Sequence, residues 1–561
     1  EYIGAREAEG LPWWEVSQAW TAEQKKAFWF TPQGSRLIPY DWFLHLEEEG
    51  TSKLFRRDEL MERFNYIASP TDSHWNPDAL PIGFAKSLPD TEGVEWMGFT
   101  CAACHTAQIN LGGVPTVIDG AQALGDFQGF LKGLDDAMIS THESPEKFAR
   151  FADSVLGQDR TAEETQALKN RFVPQMMKLA DLIHLNHSPI QYGYGRVDAF
   201  GAILNRVSSE NLAVPSNRAP ADAPVSYPFL WGTSQSSVVQ WNGSVSNAGI
   251  GPLVRNIGEV VGVNGDVDVI EKCSGEDDAK NCFVESTHDI ADNNKKGIFP
   301  GFPSSMNMKN LGLLEVWMKD LRSPKWPENL LGTIDQEKAS AGEILYKDKG
   351  CSGCHQLVSR GDEGEIYEPR MIKQSTVDTD PKMAANFIME TNPITGKPWE
   401  SGKLEGYKES FIAGKRYGET MPSRGSALGT VVIGAAVEDP LAAVIAGVRA
   451  YSGAQKGKKF DPMSYKARPL TGIWATAPYL HNGSVPNLYE VLLPESERST
   501  RFYLGSRNLD TRHVGYLNDK GAAHAFEFDT TLEGNRNTGH NFGAGLSESE
   551  RFALVEYLKT L

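Results

Sequence analysis

Two copies of one short pattern, Cys-x-x-Cys-His, constrain this chain more than any other feature. The first reads CAACH over Cys101–His105 and the second reads CSGCH over Cys351–His355. Two thiols three residues apart on a helical turn can each add to one vinyl group of a haem, and the next histidine then faces the iron. A thioredoxin-like pair, a zinc site of four cysteines or an iron–sulfur cluster does not require a histidine directly after both pairs. The pattern therefore predicts two covalently attached haem c groups.

The motifs also assign roles to their residues. His105 and His355 are the predicted proximal ligands of the two irons. The predicted thioether positions, two for each haem, are Cys101, Cys104, Cys351 and Cys354.

The motifs further indicate a compartment, because haem is attached to such sequences outside the cytoplasmic membrane. We therefore expect a periplasmic or secreted protein. The first residues, EYIGAREAEG, have neither a basic nor an apolar region, so we expect a signal peptide that has already been removed. An oxidising compartment would let Cys273 and Cys282 form a disulfide that stabilises the fold by about 2–3 kcal/mol. Two free thiols are the alternative.

Composition excludes several classes of function. The 561 residues carry a formal net charge of −18, which disfavours nucleic acid and anionic membranes as main partners. Charged residues make up 23% of the chain, as in ordinary globular proteins, so a disordered chain is excluded. The most apolar stretch, Val431–Ala450, is interrupted by Glu438, Asp439 and Pro440, so it predicts buried core and no membrane span.

The spacing of the motifs suggests two haem domains. We expect a mainly α fold with long irregular loops, in which residues 1–330 form an N-terminal catalytic haem domain with large elaborations. Residues 331–561 are then a C-terminal cytochrome c domain, and the proline-containing stretch Ser323–Gly332 is the linker. Most of ten aromatic residues before the first motif are expected to pack as core around a large cofactor: Trp13, Trp14, Trp20, Phe28, Trp29, Phe30, Trp42, Phe43, Trp75 and Trp96.

Two helices are predicted in the second domain. The segment Asp335–Gly350 is helical in pattern and leads directly into the second motif. The last sixteen residues, 546–561, combine an apolar stripe with a capping box formed by Ser547 and Glu550. Two such helices are what a single-haem cytochrome c domain uses to clamp its porphyrin.

Function depends on the sixth ligand of each iron, since only an iron with an open face can bind O2 or peroxide. The stretch after the first motif has no histidine before His142, and its one methionine is Met138. The first iron is therefore expected to be open. His540, in the glycine-flanked loop NTGHNFGAG, is the candidate distal ligand of the second haem, with Met421 as its rival. A pure electron-transfer cytochrome would instead have both irons closed.

The two motifs and the block TAPYLHNGS within Tyr465–Leu492 resemble the bacterial di-haem cytochrome c peroxidase superfamily. Further segments resemble the rubber oxygenase branch and its relatives, the periplasmic di-haem fatty-acid dioxygenases and diol synthases. Those segments include QGSRLIPYDWFLHLE, YGYGRVDAFGAILN, QWNGSVSN and PLVRNIGEVVGV.

Two departures favour an oxygenase over a peroxidase. In the peroxidases a methionine about fourteen residues after the histidine of this block ligates the electron-transfer haem, but the count from His481 ends at Glu495. The resemblance to rubber oxygenases instead implies a late histidine as that ligand, and His540 occupies the place. The displaceable histidine that peroxidases carry soon after the first motif is also absent.

The resemblance implies that the N-terminal haem binds O2 at an apolar distal face lined by bulky aromatic side chains, with ordinary core as the alternative reading. The candidates for this face are Phe229, Trp231 and Trp241. Three arginines could pair with haem propionates, since guanidinium matches carboxylate in bidentate fashion, although they could equally be surface residues. These are Arg196, Arg255 and Arg468.

The implied activity is that of a haem-dependent dioxygenase adding O2 to an unsaturated lipid, with a monounsaturated fatty acid such as oleate giving a hydroperoxide. His105 would serve the catalytic haem, and His355 with His540 would hold the second. Apolar distal walls would offer no proton donor for O–O cleavage. A rubber oxygenase, a hydroperoxide isomerase (diol synthase) and a di-haem cytochrome c peroxidase are the alternatives. Superfamily analogy adds one calcium ion, and a small redox partner is a further expectation.

Overall fold

The computed structural model describes residues 13–212, 214–269, 301–400, 409–410, 415–416, 424–454 and 461–561. The predicted disulfide between Cys273 and Cys282 lies outside the described residues, and so does Met421.

Helices are the largest elements of the chain. Those of residues 13–330 are α1 (Ala22–Phe30), α2 (Tyr40–His45), α3 (Asp58–Arg63), α4 (Ala102–His105), α5 (Phe127–Glu143), α6 (Pro145–Leu156), α7 (Ala162–Leu185), α8 (Ala199–Asn205), α9 (Gly251–Gly262) and α10 (Met308–Met318). A single π-helical turn, Arg206–Glu210, continues α8.

The remaining helices are α11 (Glu328–Leu331), α12 (Gln336–Asp348), α13 (Cys351–Cys354), α14 (Gln374–Val377), α15 (Lys382–Ile388), α16 (Arg424–Glu438), α17 (Pro440–Ala450), α18 (Leu488–Val491) and α19 (Glu548–Thr560). Two of them, α12 and α19, confirm the two predicted helices. The capping box of α19 is also confirmed, since the Ser547 hydroxyl accepts from the Glu550 backbone N–H and the Glu550 carboxylate accepts from that of Ser547.

The strands are short. They are β1 (Trp14–Glu15), β2 (Ile38–Pro39), β3 (Phe84–Lys86), β4 (Trp96–Phe99), β5 (Thr106–Leu111), β6 (Val114–Asp119), β7 (Arg196–Val197), β8 (Val225–Ser226), β9 (Val238–Val239), β10 (Val245–Ser246), β11 (Arg370–Lys373), β12 (Glu409–Ser410), β13 (Lys415–Arg416), β14 (Ser464–Ala467), β15 (Arg501–Leu504), β16 (Leu509–Asp510), β17 (Gly515–Tyr516) and β18 (Phe526–Asp529). Among the described residues no sheet exceeds three strands. The two three-stranded sheets have the orders β1-β6-β5 and β2-β4-β3.

The aromatic residues near the amino end form core, as predicted for most of them. Trp13, Phe28 and Trp29 are almost fully buried in one large cluster that also contains Trp474 and Leu554. A second cluster is rich in phenylalanine and packs α5, α6 and α7 against α2 and the β2-β4-β3 sheet. Trp14, Trp75 and Trp96 are only partly buried.

The first Cys-x-x-Cys-His motif is held between two sheets. Strand β4 ends at Phe99, α4 follows as a single turn, and β5 begins directly after His105. Gly83, just before β3, lies so close to this turn that a Cβ atom there would be 2.2 Å from the backbone nitrogen of Ala103. The absence of a side chain at Gly83 therefore lets the attachment turn dock on the sheet.

The second motif is supported by a close crossing of α12 and α19. At Gly342 a Cβ atom would lie 2.0 Å from the carbonyl oxygen of Ala553, so only glycine allows this approach. The Asp335 side chain caps α12 by accepting from the Lys338 backbone N–H at 3.1 Å. The crossing fixes the end of α12, from which the chain enters Cys351–His355.

Contacts cross the predicted boundary at residue 330 in several places. The Tyr194 hydroxyl donates to the carbonyl of His524 at 2.7 Å, and Arg196 donates to the Asn535 side chain at 2.8 Å. Helix α17 packs on α10, where a Cβ atom at Gly312 would meet the backbone of Ala446. The division into residues 1–330 and 331–561 stays a prediction.

The apolar stretch Val431–Ala450 forms α16 and α17, which meet at a bend of 110°. The prediction of buried core is confirmed for α16, where Val431 and Val432 are buried, but it is wrong for the outer face of α17. There Leu441 and Val448 are each 72% exposed, because the bend leaves only one side of α17 against α10. Within the described ranges, no single helix is long and apolar enough to span a membrane. Helices α16 and α17 reach that length and apolarity only when the bent pair is counted as one segment.

Candidate haem centres

The first motif opens onto a cavity of about 180 Å³. Cys101 and Cys104 both line this cavity, and neither forms a disulfide. Burial raises the pKa of Cys101 to about 11 and that of Cys104 to about 12. His105 lines the same cavity, and burial lowers the pKa of its imidazole to about 4. A neutral imidazole beside two thiols is the donor set that covalent attachment and proximal ligation of a haem require.

The same cavity has charged side chains in its wall. Arg255 makes a buried ion pair with Glu315 across two helices, α9 and α10. One turn further along α9, Glu259 accepts a hydrogen bond of 2.6 Å from the Gln240 side chain, and burial raises the pKa of the Glu259 carboxyl. The cavity thus contains ionisable side chains, and the expectation that the distal walls offer no proton donor stays a prediction. Burial also lowers the pKa of Lys466 well below its usual range.

Candidate sixth ligands are scarce in the first cavity. Among its described lining residues His105 is the one histidine, and Met318 at the end of α10 contributes the one thioether. Met318 is buried and was not a sequence candidate, since it lies over 200 residues after the motif. A thioether is a softer ligand than imidazole.

The second motif opens onto a cavity of about 270 Å³, walled in part by α12 and α19. The Nδ1 of His355 lies 2.8 Å from the carbonyl oxygen of Arg468, which accepts its proton. This hydrogen bond fixes the tautomer and leaves Nε2 as the ligating nitrogen. The Tyr346 hydroxyl donates to the carbonyl of His355 at 2.9 Å and holds the backbone of the motif in place.

His540 lines the same cavity as His355, and their ring centroids are 6.2 Å apart. Two imidazoles that bind one metal ion from opposite sides, with nitrogen–metal bonds of about 2.0 Å, place their centroids about 6.4 Å apart. The observed spacing fits that arrangement. Burial is the main cause that lowers the pKa of His540 to about 3, so its imidazole is neutral and free to ligate.

The loop carrying His540 is held by its backbone. The residue has a left-handed conformation with φ of 49°. Its N–H donates to the carbonyl of Val377 at 2.7 Å, and its own carbonyl accepts from Arg498 at 3.2 Å. These bonds tie the glycine-flanked loop to the body of the protein and hold it where the imidazole shares a cavity with His355. The residues of both cavities therefore fit a covalently held haem.

The three predicted distal aromatics differ in their access to the two cavities. Trp241 lines both cavities, whereas Phe229 lines the second one. Trp231 stacks on Phe229 with ring centroids 4.8 Å apart and lines neither haem cavity. Their assignment to the distal face of the first haem stays a prediction, and Trp241 is the one with access to that cavity.

The three predicted propionate partners differ in surroundings. Arg196 lines neither cavity and donates to backbone carbonyls and to Asn535. Arg255 lines the first cavity but already pairs with Glu315. Arg468 lines both cavities, forms no ion pair with a carboxylate in the described part of the chain, and leaves its Nε without a hydrogen-bond partner there. Its guanidinium is thus the best placed of the three for a propionate.

The sequence analysis missed Glu259, Lys466 and Met318. Glu259 follows Arg255 by four residues in PLVRNIGEVV, the spacing that puts two side chains on one helix face. Once Arg255 was a candidate, that spacing could have identified Glu259. Lys466 stands two residues before Arg468 on β14, so strand alternation could have identified it in the same way. Nothing in the sequence pointed to Met318.

The expected calcium ion has no support in the described ranges. There, no group of three or more His, Cys, Asp and Glu side chains converges to hold a metal ion.

His481, the histidine of the TAPYLHNGS block, is buried, and its ring stacks on Tyr465 at 4.2 Å between centroids. Burial lowers its pKa from 6.5 to about 3. Below pH 6.5, His481 therefore binds a proton in the unfolded chain but not in the folded protein. The free energy of unfolding consequently falls as the pH drops below 6.5.

We predict a measurable pH dependence from His481. Between pH 6.5 and 5 the free energy of unfolding of the wild-type holoprotein should fall by about 1.6 kcal/mol more than that of His481→Gln, because the slope rises from about half of 1.36 kcal/mol per pH unit at pH 6.5 to nearly the full value at pH 5. Denaturant titrations at both pH values measure the difference. His74→Gln, at an exposed histidine, should follow the wild type. Parallel profiles for wild type and His481→Gln would contradict the prediction.

Comparison with known proteins places the second cavity in a class of haem oxidoreductases that bind haem c covalently. Residues 464–503, which run from β14 to β15 and wall the second cavity, match the family described as RoxA-like, cytochrome c-like. Two relatives come from Sinorhizobium fredii (strain NBRC 101917 / NGR234). The uncharacterized protein y4iJ is 31% identical over 97% of this chain and 93% of its own length. The uncharacterized protein y4iM is 26% identical over 56% of each chain.

The chain belongs to the same family as y4iJ, and its RoxA-like segment links that family to the rubber oxygenases and di-haem cytochromes c.

Proposed function

We propose that this protein is a periplasmic di-haem c dioxygenase that adds O2 to an unsaturated lipid, with a monounsaturated fatty acid such as oleate as substrate. One haem would be held by Cys101, Cys104 and His105, and the second by Cys351–His355 together with His540. In this proposal each haem belongs to a cytochrome c-type domain, the first within residues 1–330 and the second within 331–561. The first centre is the site of catalysis.

The observation that carries the proposal is the difference between the two cavities. The second contains two imidazoles at the spacing expected of opposite ligands, 6.2 Å between centroids. The first contains a single histidine among its described lining residues. An electron-transfer cytochrome has no use for such a difference, whereas an oxygenase needs one reactive and one protected centre.

A haem in the first cavity would supply redox-active iron for chemistry with O2. The chain's own residues would position the lipid and exclude water. The cavity is mostly apolar, with side chains such as Ile203, Val239 and Val260 in its wall. Trp241, Lys466 and Arg468 line both cavities and separate them by a single layer of side chains. The second centre would thus act on the first through that layer, by its charge or by electron transfer.

The test is aerobic incubation of the holoprotein with oleate and, separately, with polyisoprene latex, followed by mass spectrometry. We expect an oleate product heavier by one O2 molecule, labelled by both atoms of ¹⁸O2, and no product from the saturated analogue stearate. Short oligo-isoprenoid aldehydes from latex would instead make the protein a rubber oxygenase. No lipid product, with rapid consumption of hydrogen peroxide and a reduced cytochrome, would replace the proposal with a peroxidase.

Glu259 supports a second candidate function, the isomerisation of a lipid hydroperoxide or the reduction of a peroxide. Burial raises the pKa of this carboxyl and so favours its protonated form, and a protonated carboxyl can donate a proton to a departing oxygen, as cleavage of an O–O bond requires. Gln240 holds this carboxyl at 2.6 Å and orients it in the first cavity.

The substitution Glu259→Gln separates the two activities. Loss of a general acid costs about 10²–10⁴-fold in rate, so hydroperoxide conversion to a diol should fall by at least about 100-fold. Addition of O2 to oleate should stay within about threefold, because it needs no proton from this group. Chromatography of the hydroperoxide and diol products measures both. The exposed Glu337→Gln is the control, and an equal fall in both activities would contradict the assignment.

A further inference from the structure

A cavity larger than either haem cavity lies elsewhere among the described residues. It is a groove of about 930 Å³ beside α7, the π-helical turn Arg206–Glu210 and the segment 215–218. Its floor is apolar and includes Leu37, Pro174, Leu182 and Leu185. Its size and its apolar floor suit a long hydrocarbon chain.

The rim of this groove is cationic. Its charged lining residues comprise four that carry positive charge and two that carry negative charge: Arg36, Lys178, Arg206 and Arg218 against Asp181 and Glu210. The chain as a whole has a net charge of −18, so an excess of positive charge here is unusual for its surface. Asp266 pairs with Lys178 at 3.1 Å and with Arg206 at 3.3 Å, so the charges that can attract an anion are chiefly those of Arg36 and Arg218.

Two of these arginines have unused hydrogen-bonding capacity. Arg206 is buried and pairs at its terminal nitrogens with Asp266 and Glu210, but its Nε has no partner in the described part of the chain. Arg218 contacts no carboxylate in the described residues. Its Nη1 instead lies 2.7 Å from His184 Nε2 and donates to the carbonyl of His184 at 2.9 Å. A carboxylate ligand would satisfy both guanidinium groups.

The groove continues inward. A smaller cavity of about 100 Å³ shares Leu182 and Asn264 with the groove. At its other end it shares four lining residues with the first haem cavity: Phe127, Val197, Ala202 and Gly262. Three cavities therefore lie in series between the surface and His105, and each is divided from the next by the side chains that line both.

Asn264 marks the junction between the groove and the smaller cavity. The residue is only 4% exposed and has a left-handed backbone with φ of 72°. Its side-chain nitrogen has no hydrogen-bond partner among the described residues. A buried amide donor without a partner costs free energy unless a ligand accepts from it, so this group points to an acceptor in the passage.

We propose that these three cavities form the substrate channel and that the substrate is a long-chain monocarboxylate. The inference rests on the proposed function and deepens it. The carboxylate lies in the groove, where Arg218 and Arg206 bind it and Asn264 donates to it. The hydrocarbon chain passes Leu182 and Ala202, and its double bond reaches the first haem cavity. A neutral polymer such as polyisoprene has no anionic group that the cationic rim could bind.

The first test narrows the passage. Leu182→Trp places a bulky ring at the junction, and Leu156→Trp makes the same change at an exposed position of α6 that lines none of these cavities. Equilibrium dialysis of radiolabelled oleate with the oxidised holoprotein, without O2, measures binding in the absence of turnover. We expect Leu182→Trp to weaken oleate binding at least about tenfold, since the added ring removes space that the chain occupies. Leu156→Trp should bind like wild type.

Carbon monoxide serves as the control for an intact first centre, because it is small enough to pass a narrowed channel. Leu182→Trp should bind carbon monoxide as wild type does after reduction. Unchanged oleate binding in Leu182→Trp, with both variants folded, would overturn the channel.

The second test addresses the carboxylate. Arg218→Gln should weaken oleate binding about tenfold and leave the binding of oleyl alcohol, which has the same chain and no charge, within about twofold. The matched control is Arg171→Gln, an exposed arginine of α7 outside the groove. Equal losses for oleate and oleyl alcohol, or no loss for either, would overturn the anchor.

The two proposals can fail separately. If wild type binds oleate and the variants weaken that binding, but no oxygenated product forms in air, the channel stands and the dioxygenase proposal fails. If product forms and the variants change neither oleate binding nor KM, the dioxygenase stands and the channel fails.

Discussion

Replacing His540 with asparagine is expected to open the second haem. In the oxidised wild-type protein the second iron should give the low-spin electron paramagnetic resonance signal of an iron between two imidazoles. In His540→Asn that signal should be lost completely, and one haem equivalent per protein should become high-spin. The reason is that the ring centroids of His540 and His355 are 6.2 Å apart, whereas His481, the other histidine that lines this cavity, stacks on Tyr465.

Asparagine is the appropriate replacement because His540 has a left-handed backbone, which asparagine tolerates better than most residues. His524→Asn is a matched control, since His524 is exposed and has a similar φ of 62°. Its spectrum should equal that of wild type. A low-spin bis-imidazole signal that survives in His540→Asn would contradict the assignment of the ligand.

The second large effect is expected at Glu315, which is completely buried and pairs with Arg255 in the wall of the first cavity. Its carboxylate also accepts from the Asn256 side chain at 2.9 Å. Glu315→Leu leaves the Arg255 charge buried without its counterion. We expect the free energy of unfolding of the holoprotein to fall by about 3–5 kcal/mol, measured by denaturant titration.

A double substitution tests the cause. Arg255→Met combined with Glu315→Leu removes both charges and should recover stability to within about 2 kcal/mol of wild type. Glu337→Leu, at an exposed position of α12, should change stability by less than about 0.5 kcal/mol. A loss below about 1 kcal/mol in Glu315→Leu would contradict the prediction and would show that another anion, such as a haem propionate, already balances Arg255.

The sequence predicted those parts of the fold that depend on residues close together in the chain. The capping box at Ser547 and the spacing of apolar residues were enough to predict α19, and the same kind of pattern predicted α12. The two attachment turns follow directly from Cys-x-x-Cys-His. Helix α17 shows the limit, because the apolar pattern alone could not indicate which of its sides faces α10.

The residues of the candidate site also fall into two groups, those that the sequence indicated and those that only the folded structure brings together. The cysteines and proximal histidines are visible as motifs, and the resemblance indicated His540, whose ligation of iron stays a prediction. The remaining lining residues come from distant parts of the chain. Met318 is on α10 and Lys466 is on β14, and only tertiary packing brings them to a cavity that begins at Cys101. The groove and its passage to that cavity likewise depend on how α7, α8 and α9 pack.

The most direct test of the difference between the two centres is a carbon monoxide titration of the dithionite-reduced wild-type holoprotein, read from the Soret band. An open first iron and a second iron closed by His540 predict that one molecule of carbon monoxide binds for every two haems. Uptake of no carbon monoxide, or of two molecules per protein, would contradict that account.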